Sequence, residues 1–356
     1  MMMDSREKDE LIDKAWKGEL EREDAINLYR IYPLKLFELA DSMRRETVGE
    51  YITYVVNRNI NFTDLCIGDC TFCAFRCKEN YILSMEEILE KTRDAVGRGA
   101  TEVCIQGGLL EGMKLEDYCT ITEGIKDEFP KIHIHAFSPM EIYHMAKNSG
   151  IDTIYALKEL KKSGLNSMPG TAAEILVNRI REKICPHKLS SEEWERIVKE
   201  AHGIGIPSTA TIMYGHIETL EDRIDHILMI RRIQEETNGF TEFIPLPFMC
   251  ENNELGKIVR RRGGIDDLRM HAIARILLYG AVDNIQASWV KLGLEMVQLS
   301  FLCGVNDLGG TLMEEKISKS SGSKAGEYLS PEEMEAMIID AGRIPVRRDT
   351  LYNIII

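Results

Sequence analysis

No apolar run in the sequence approaches the roughly 18 residues of a membrane span, and the opening MMMDSREKDE carries no apolar signal segment. The expectation is a cytoplasmic chain with no membrane partner. Positive charge is also short. Lys and Arg number 44 against 58 Asp and Glu, leaving a net charge of −14, which repels phosphate backbones and argues against nucleic acid as a partner. No repeat of fixed period occurs, and the single low-complexity stretch, 318–326, is rich in Ser, Lys and Gly and reads as a mobile loop. The nine cysteines are an odd set that cannot pair completely, so thiolate ligands and buried thiols are expected rather than a disulfide framework. What is present is a chain of 356 residues, 44% hydrophobic and 29% charged. That is enough for one large or two ordinary domains with a real core, and it rules out the disordered and collagen-like classes.

Residues 1–48 place Leu28, Leu34, Leu36, Phe37 and Leu39 at helical spacing among mixed charges, predicting a helical N-terminal extension. Beyond it, β-prone runs alternate with amphipathic stretches. The predicted strands are 57–62, 102–106, 132–137, 166–168, 208–214, 241–246, 284–289 and 305–308. Helix starts are marked by Ser or Thr followed three residues later by an acid, at Ser84/Glu87, Ser138/Glu141, Ser190/Glu193, Thr219/Asp222 and Ser330/Glu333. Pro139 and Pro331 sit at first helical positions, where proline sacrifices no hydrogen bond. Such alternation predicts the α/β class as a parallel (β/α)8 TIM-type barrel at 49–313, followed by a C-terminal loop, helix and tail at 314–356 that close it. A doubly wound open sheet is the alternative.

Cys66, Cys70 and Cys73 fall on one loop after the first predicted strand, and Cys77 follows. Three thiolates so close together suit one polynuclear iron–sulfur cluster, whose bridging sulfides spread the irons. One zinc ion is the alternative, but structural zinc usually draws two short Cys or His pairs from separate segments, and no second pair is present. Asp64, Gly68 and Asp69 on the same loop suggest that it reaches solvent.

Cys66-x-x-x-Cys70-x-Phe72-Cys73 resembles the signature of the radical S-adenosylmethionine (SAM) family. The resemblance implies a [4Fe-4S] cluster on those three thiolates with one iron left open for SAM, and Cys77 as a spare thiol. It also implies SAM contacts from Phe72, from Gly107 and Gly108 in Gln106-Gly107-Gly108, and from Glu174 in the segment starting Pro169-Gly170. Read without it, the Gly pair is an ordinary turn and Glu174 an early-turn carboxylate favoured by the helix dipole. The likeness runs along most of the chain. Asn57-Arg58-Asn59-Ile60-Asn61-Phe62-Thr63, His135-Ala136-Phe137-Ser138-Pro139, the segment Thr209 to Thr219 and Glu242-Phe243-Ile244-Pro245-Leu246-Pro247-Phe248 resemble the branch that makes deazaflavins and menaquinone precursors. Asn284-Ile285-Gln286-Ala287-Ser288-Trp289-Val290-Lys291-Leu292-Gly293 and Leu308-Gly309-Gly310-Thr311-Leu312-Met313-Glu314-Glu315 are most similar to second subunits of deazaflavin (FO) synthase.

That resemblance implies a transferase acting on L-tyrosine and 5-amino-6-(D-ribitylamino)uracil. A 5′-deoxyadenosyl radical takes a hydrogen from tyrosine, the Cα–Cβ bond breaks, the 4-hydroxybenzyl part joins the uracil and 2-iminoacetate leaves. It further implies a second radical SAM subunit that closes the ring, and an electron donor. A futalosine-pathway enzyme with the same chemistry and a non-catalytic iron–sulfur or zinc protein are the other readings. His135, Gln286, Ser288 and Glu314 are candidate substrate contacts because polar groups at strand ends face a barrel mouth; His133 and Glu315 share their positions, and a satisfied core or surface group is the competing reading for each. Arg260, Arg261 and Arg262 invite an anion-site reading, against which a solvated loop is the commoner use of such a run.

Overall fold

Every residue of Ser208–Tyr214 is buried, as expected of a parallel strand covered on both faces. The structure, a computed structural model, describes residues 5–261 and 263–355. The first four positions of the expected N-terminal extension, Arg262 and residue 356 lie outside the described residues. Its strands are β1 (Tyr51–Val55), β2 (Asn57–Asn61), β3 (Glu102–Gln106), β4 (His133–Ala136), β5 (Ser208–Tyr214), β6 (Phe240–Pro247), β7 (Asp307–Gly310) and β8 (Ile344–Arg348). They pair in the orders β7-β1-β8, β2-β3-β4 and β5-β6, always in parallel. Single parallel bridges, His135 to Ser167 and Met168 to Ser208, link β4 towards β5, and Phe243 to Ile285 and Gln286 to Asp307 link β6 towards β7.

Two predicted strands, 166–168 and 284–289, are thereby corrected to isolated bridges. In both places an asparagine side chain replaces a ladder bond: Asn166 Oδ1 accepts from Ile134 N at 2.9 Å, and Asn306 Oδ1 accepts from Ile285 N at 2.8 Å. Pro169 and Gly170 then end the first segment, and a helix at Trp289–Leu292 ends the second. Conversely, β1 and β8 were not expected. β1 is rich in aromatic and β-branched residues, and β8 tolerates Pro345 because it pairs on one side, with β1. The remaining six predicted strands shift by at most two residues at an end.

All five predicted capping boxes form, opening Met85–Gly97, Pro139–Ser149, Ser191–Gly203, Leu220–Thr237 and Pro331–Asp340. The N-terminal stretch is helical at Ser5–Lys17, Arg22–Leu28 and Pro33–Val48. Pro33–Val48 buries Leu36, Phe37, Leu39, Ala40 and Met43 and packs on the helix Ile265–Leu278, which is buried along nearly its whole length. Leu34, expected among the packed leucines, is exposed.

The low-complexity stretch is folded rather than a free loop. It contains most of the helix Lys316–Ser320, Ser323 Oγ donates to Val290 O at 2.5 Å, and Asn252 Nδ2 donates to Ser320 O at 2.9 Å. Of the arginine run, Arg260 is exposed, while Arg261 pairs with Asp267, which also accepts from Tyr214 OH at 2.8 Å. Arg261 thus braces the start of Ile265–Leu278 and is not free to take an anion.

Candidate active site

The cysteine loop leaves β2 and returns at Tyr81, and one buried carboxylate shapes the return. Asp64 accepts backbone N–H bonds from Glu79 (2.5 Å), Asn80 (3.0 Å) and Tyr81 (3.0 Å). Burial raises its pKa, but those bonds outweigh it and hold the carboxyl below the ordinary range. Asp64 is therefore fully buried, not one of the residues that keep the loop in solvent; that role falls to exposed Asp69.

With the loop so tied, Cys66, Cys70 and Cys73 line a single cavity of about 400 Å³ at the carboxyl ends of β2, β3, β6 and β7. Cys77 is exposed, outside that lining, with its N–H donated to Asp64 O at 2.7 Å. Among the described residues no three His, Cys, Asp or Glu side chains close on the position of a single ion. Cys104 of β3 also lines the cavity, but three of the cavity's four thiols sit together on one short loop, which fits a polynuclear cluster with an open iron.

Gly107 and Gly108 line the same cavity, and packing explains why neither bears a side chain. A Cβ on Gly108 would lie 2.1 Å from Leu65 O and 2.9 Å from Cys66 Cβ, and one on Gly107 would lie 2.6 Å from the Phe62 ring. The glycines thus let the end of β3 touch the backbone of the cysteine loop. Gly107 N donates to Glu141 Oε1 at 3.2 Å, while Glu141 Oε2 caps its own helix through Ser138 N at 2.7 Å. Burial outweighs these bonds and lifts the Glu141 carboxyl to about 7.

Glu174 also lines the cavity, in a left-handed backbone (φ 46°) that a non-glycine residue rarely adopts. It accepts from Lys188 Nζ at 2.6 Å, and that ammonium lies 5.3 Å from the centre of the Phe72 ring. Burial raises the Glu174 pKa, yet Lys188, Arg181 and Lys291 outweigh it and hold it low. Burial pushes the Cys70 thiol up to about 12, with Lys188 acting in the opposite sense. Phe72, Glu174, Gly107, Gly108 and the three thiols, all predicted as cofactor residues, therefore meet at one place.

The predicted substrate contacts divide. Gln286 and Ser288 line the cavity, and Gln286 Nε2 donates to Glu242 at 2.9 Å. His135 does not line it; it is buried in β4 with Nδ1 at 2.6 Å from Ser167 Oγ, the same hydroxyl that His133 Nε2 meets at 2.7 Å. Glu314 is also absent from the lining, drawn outward by Lys91 Nζ (2.6 Å) and Arg58 Nη2 (3.1 Å). Its neighbour Glu315 faces the cavity instead, accepting from Asn59 Nδ2 at 2.5 Å and Ser318 N at 2.8 Å. Sequence reasoning missed Lys188 and Lys291. Both line the cavity, and single lysines in a charged sequence carry no spacing that distinguishes them.

The family model of the radical SAM superfamily matches residues 60–230, and that of the CofH/MqnC C-terminal region matches residues 237–355. Over 356 residues the chain is 56% identical to a 5-amino-6-(D-ribitylamino)uracil–L-tyrosine 4-hydroxyphenyl transferase 1 of Methanosarcina barkeri, covering 99% of this chain and 95% of the relative. It is 59% identical over 323 residues to the transferase of that name from Archaeoglobus fulgidus, covering 91% and 94%. The chain belongs to this family of radical SAM transferases. The fold is shared with methylornithine synthase PylB (TM-score 0.73, 19% identity, covering 95% of this chain and 97% of that one). It is shared too with the hydrogenase maturase HydG of Carboxydothermus hydrogenoformans (TM-score 0.76, 18% identity, covering 97% and 81%). Family membership sets aside the non-catalytic reading, and the relatives favour the transferase over a futalosine-pathway enzyme.

Proposed function

We propose that this chain joins the 4-hydroxybenzyl group of L-tyrosine to 5-amino-6-(D-ribitylamino)uracil, releasing 2-iminoacetate, methionine and 5′-deoxyadenosine. The observation that carries the reading is that Cys66, Cys70 and Cys73 share one cavity with Gln286 and Ser288, in a chain similar over nearly its full length to transferases of that name. A [4Fe-4S] cluster on those thiolates would supply, with SAM, a one-electron reductant and the hydrogen-abstracting 5′-deoxyadenosyl group.

The protein's own residues prepare the rest. Lys188 favours the thiolate of Cys70 and fixes Glu174 to receive SAM, Phe72 offers its ring beneath that ammonium, and the Gly107–Gly108 backbone borders the pocket where SAM would lie. Gln286, oriented by Glu242, and Ser288 present donors and acceptors suited to a pyrimidine edge. The apolar walls, among them Met140, Met213, Leu246 and Phe248, exclude water from a reactive radical.

In the same reading the parallel pairings and bridges form one (β/α)8 barrel over 49–313, with 1–48 as a helical extension and 314–356 as the closing segment. A separate radical SAM subunit completes the deazaflavin, an electron donor reduces the cluster, and the site of action is the cytoplasm. Among the described residues no helix is long and apolar enough to cross a membrane.

The test is an anaerobic reaction of the reconstituted, reduced protein with SAM, tyrosine and the uracil, followed by mass spectrometry. A hydroxybenzyl–uracil adduct with 5′-deoxyadenosine is expected. 5′-Deoxyadenosine without the adduct would overturn the substrates, and neither product from a demonstrably reduced cluster would overturn the chemistry.

A further inference from the structure

The cavity holds two lysines with different circumstances. Lys188 is neutralised by Glu174 at 2.6 Å. Lys291, on the short helix Trp289–Leu292 that follows Gln286 and Ser288, also lines the cavity, yet its ammonium has no hydrogen-bond or ion-pair partner among the described residues. The carboxylates whose charges act on it are Glu315 and Glu174, along with the thiol of Cys73. Both carboxylates are already committed: Glu174 to Lys188, and Glu315 to Asn59 Nδ2 at 2.5 Å and Ser318 N at 2.8 Å. Lys291 is half-buried in a cavity with mostly apolar walls, and an ammonium left without a counter-ion there is a ready partner for a bound anion. The other cationic side chains of the lining are engaged elsewhere, Arg76 with Gly68 O and His187 with Asp69 at 2.7 Å.

We infer that Lys291 is the residue that binds the α-carboxylate of the amino-acid substrate. The inference rests on the tyrosine transferase reading and deepens it. The pyrimidine substrate carries no anionic group, so the free carboxylates brought to the cavity are those of SAM and tyrosine. Glu174 is already paired with Lys188, whereas Lys291 comes from the segment with Gln286 and Ser288, near enough to Glu174 and Cys73 for their charges to act on it, so the carboxylate it takes lies beside the place where SAM would sit. Lys291 thereby anchors the end of tyrosine that is cut away, and leaves the phenol end free to move to the uracil. The pairing is a charge-assisted hydrogen bond in a partly desolvated site, where it is stronger than at a surface.

The experiment is equilibrium binding to the reconstituted protein with SAM present, comparing L-tyrosine with tyramine, which has the ring and amine but no carboxylate. Binding of SAM alone is measured beside it. The wild type is expected to prefer L-tyrosine by roughly tenfold to a hundredfold. Lys291→Met is expected to abolish that preference while leaving tyramine affinity unchanged and changing SAM affinity by much less than L-tyrosine affinity, and Lys291→Arg to retain part of the preference. Unchanged tyramine binding also shows that the variant is folded; if Lys291→Met binds neither ligand, Lys291→Arg decides, supporting the assignment by keeping the preference and overturning it by losing the preference alone. A Lys291→Met protein that keeps its preference for L-tyrosine, or that loses SAM instead, overturns the assignment. If the wild type binds neither tyrosine nor tyramine, the transferase reading itself fails, an outcome distinct from any failure seen only in the variants.

Discussion

At the scale of the residue, single atoms decide whether the cysteine loop sits where it does. Gly108 has no alternative in this packing, since a methyl group would stand 2.1 Å from the carbonyl oxygen of Leu65. Relieving that overlap requires the backbone beside Cys66 to move. Gly108→Ala is expected to lower stability by about 1–3 kcal/mol and to reduce the iron and sulfide bound after reconstitution; full cluster loading with an unchanged urea midpoint would contradict this. The motif around Cys66, Cys70 and Cys73 was legible because its residue types and spacing are local. The reason for Gly108 was not, because Leu65 meets it only after β3 lies beside β2.

At the scale of the element, the capping box of Pro139–Ser149 does two jobs, closing a helix and holding the Gly107 N–H at the cavity. Its carboxylate titrates near 7, raised by burial. Because the folded value lies above the unfolded one of about 4.3, the folded state holds the extra proton between them. This contribution to stability is complete below the unfolded value and is lost as the pH rises through about 7. Urea unfolding of the cluster-free protein at pH 5 and pH 8 should therefore show a loss in the wild type that Glu141→Gln reduces by on the order of 1–3 kcal/mol. Equal losses in the two proteins would refute the burial argument. The box itself was readable from Ser138 and Glu141, since capping is satisfied within four residues; its second bond, to a strand 34 residues away, was not.

At the scale of the whole molecule, the last residues reach back to the amino ends of the strands, opposite the cavity. Arg348 of β8 pairs with Asp307 of β7 at 2.6 Å and lies 3.5 Å from Glu242 of β6, with Tyr352 stacked 3.9 Å from its guanidinium and hydrogen-bonded to Glu242 at 2.6 Å. Arg348, Asp307 and Glu242 are buried and Tyr352 half-buried, and Glu242 in turn orients Gln286 in the cavity. Arg348→Met leaves two buried carboxylates without their cation and is expected to cost about 3–5 kcal/mol, seen as a lower thermal midpoint; a midpoint equal to the wild type would show that the tail is dispensable. None of this was visible in sequence, where the segment 344–348 holds a proline, two arginines and no strand pattern. By itself the sequence determined the α/β class, six of the strands, the five capped helices and the cysteine loop, because each depends on residues within a few positions of one another. Only the tertiary structure decided that His135 is a core group, that Glu315 rather than Glu314 faces the cavity, and that two lysines enter it. Those outcomes depend on which distant side chains compete for each polar group, Ser167 for His135 and Lys91 for Glu314, and burial and partners are set by packing rather than by order along the chain.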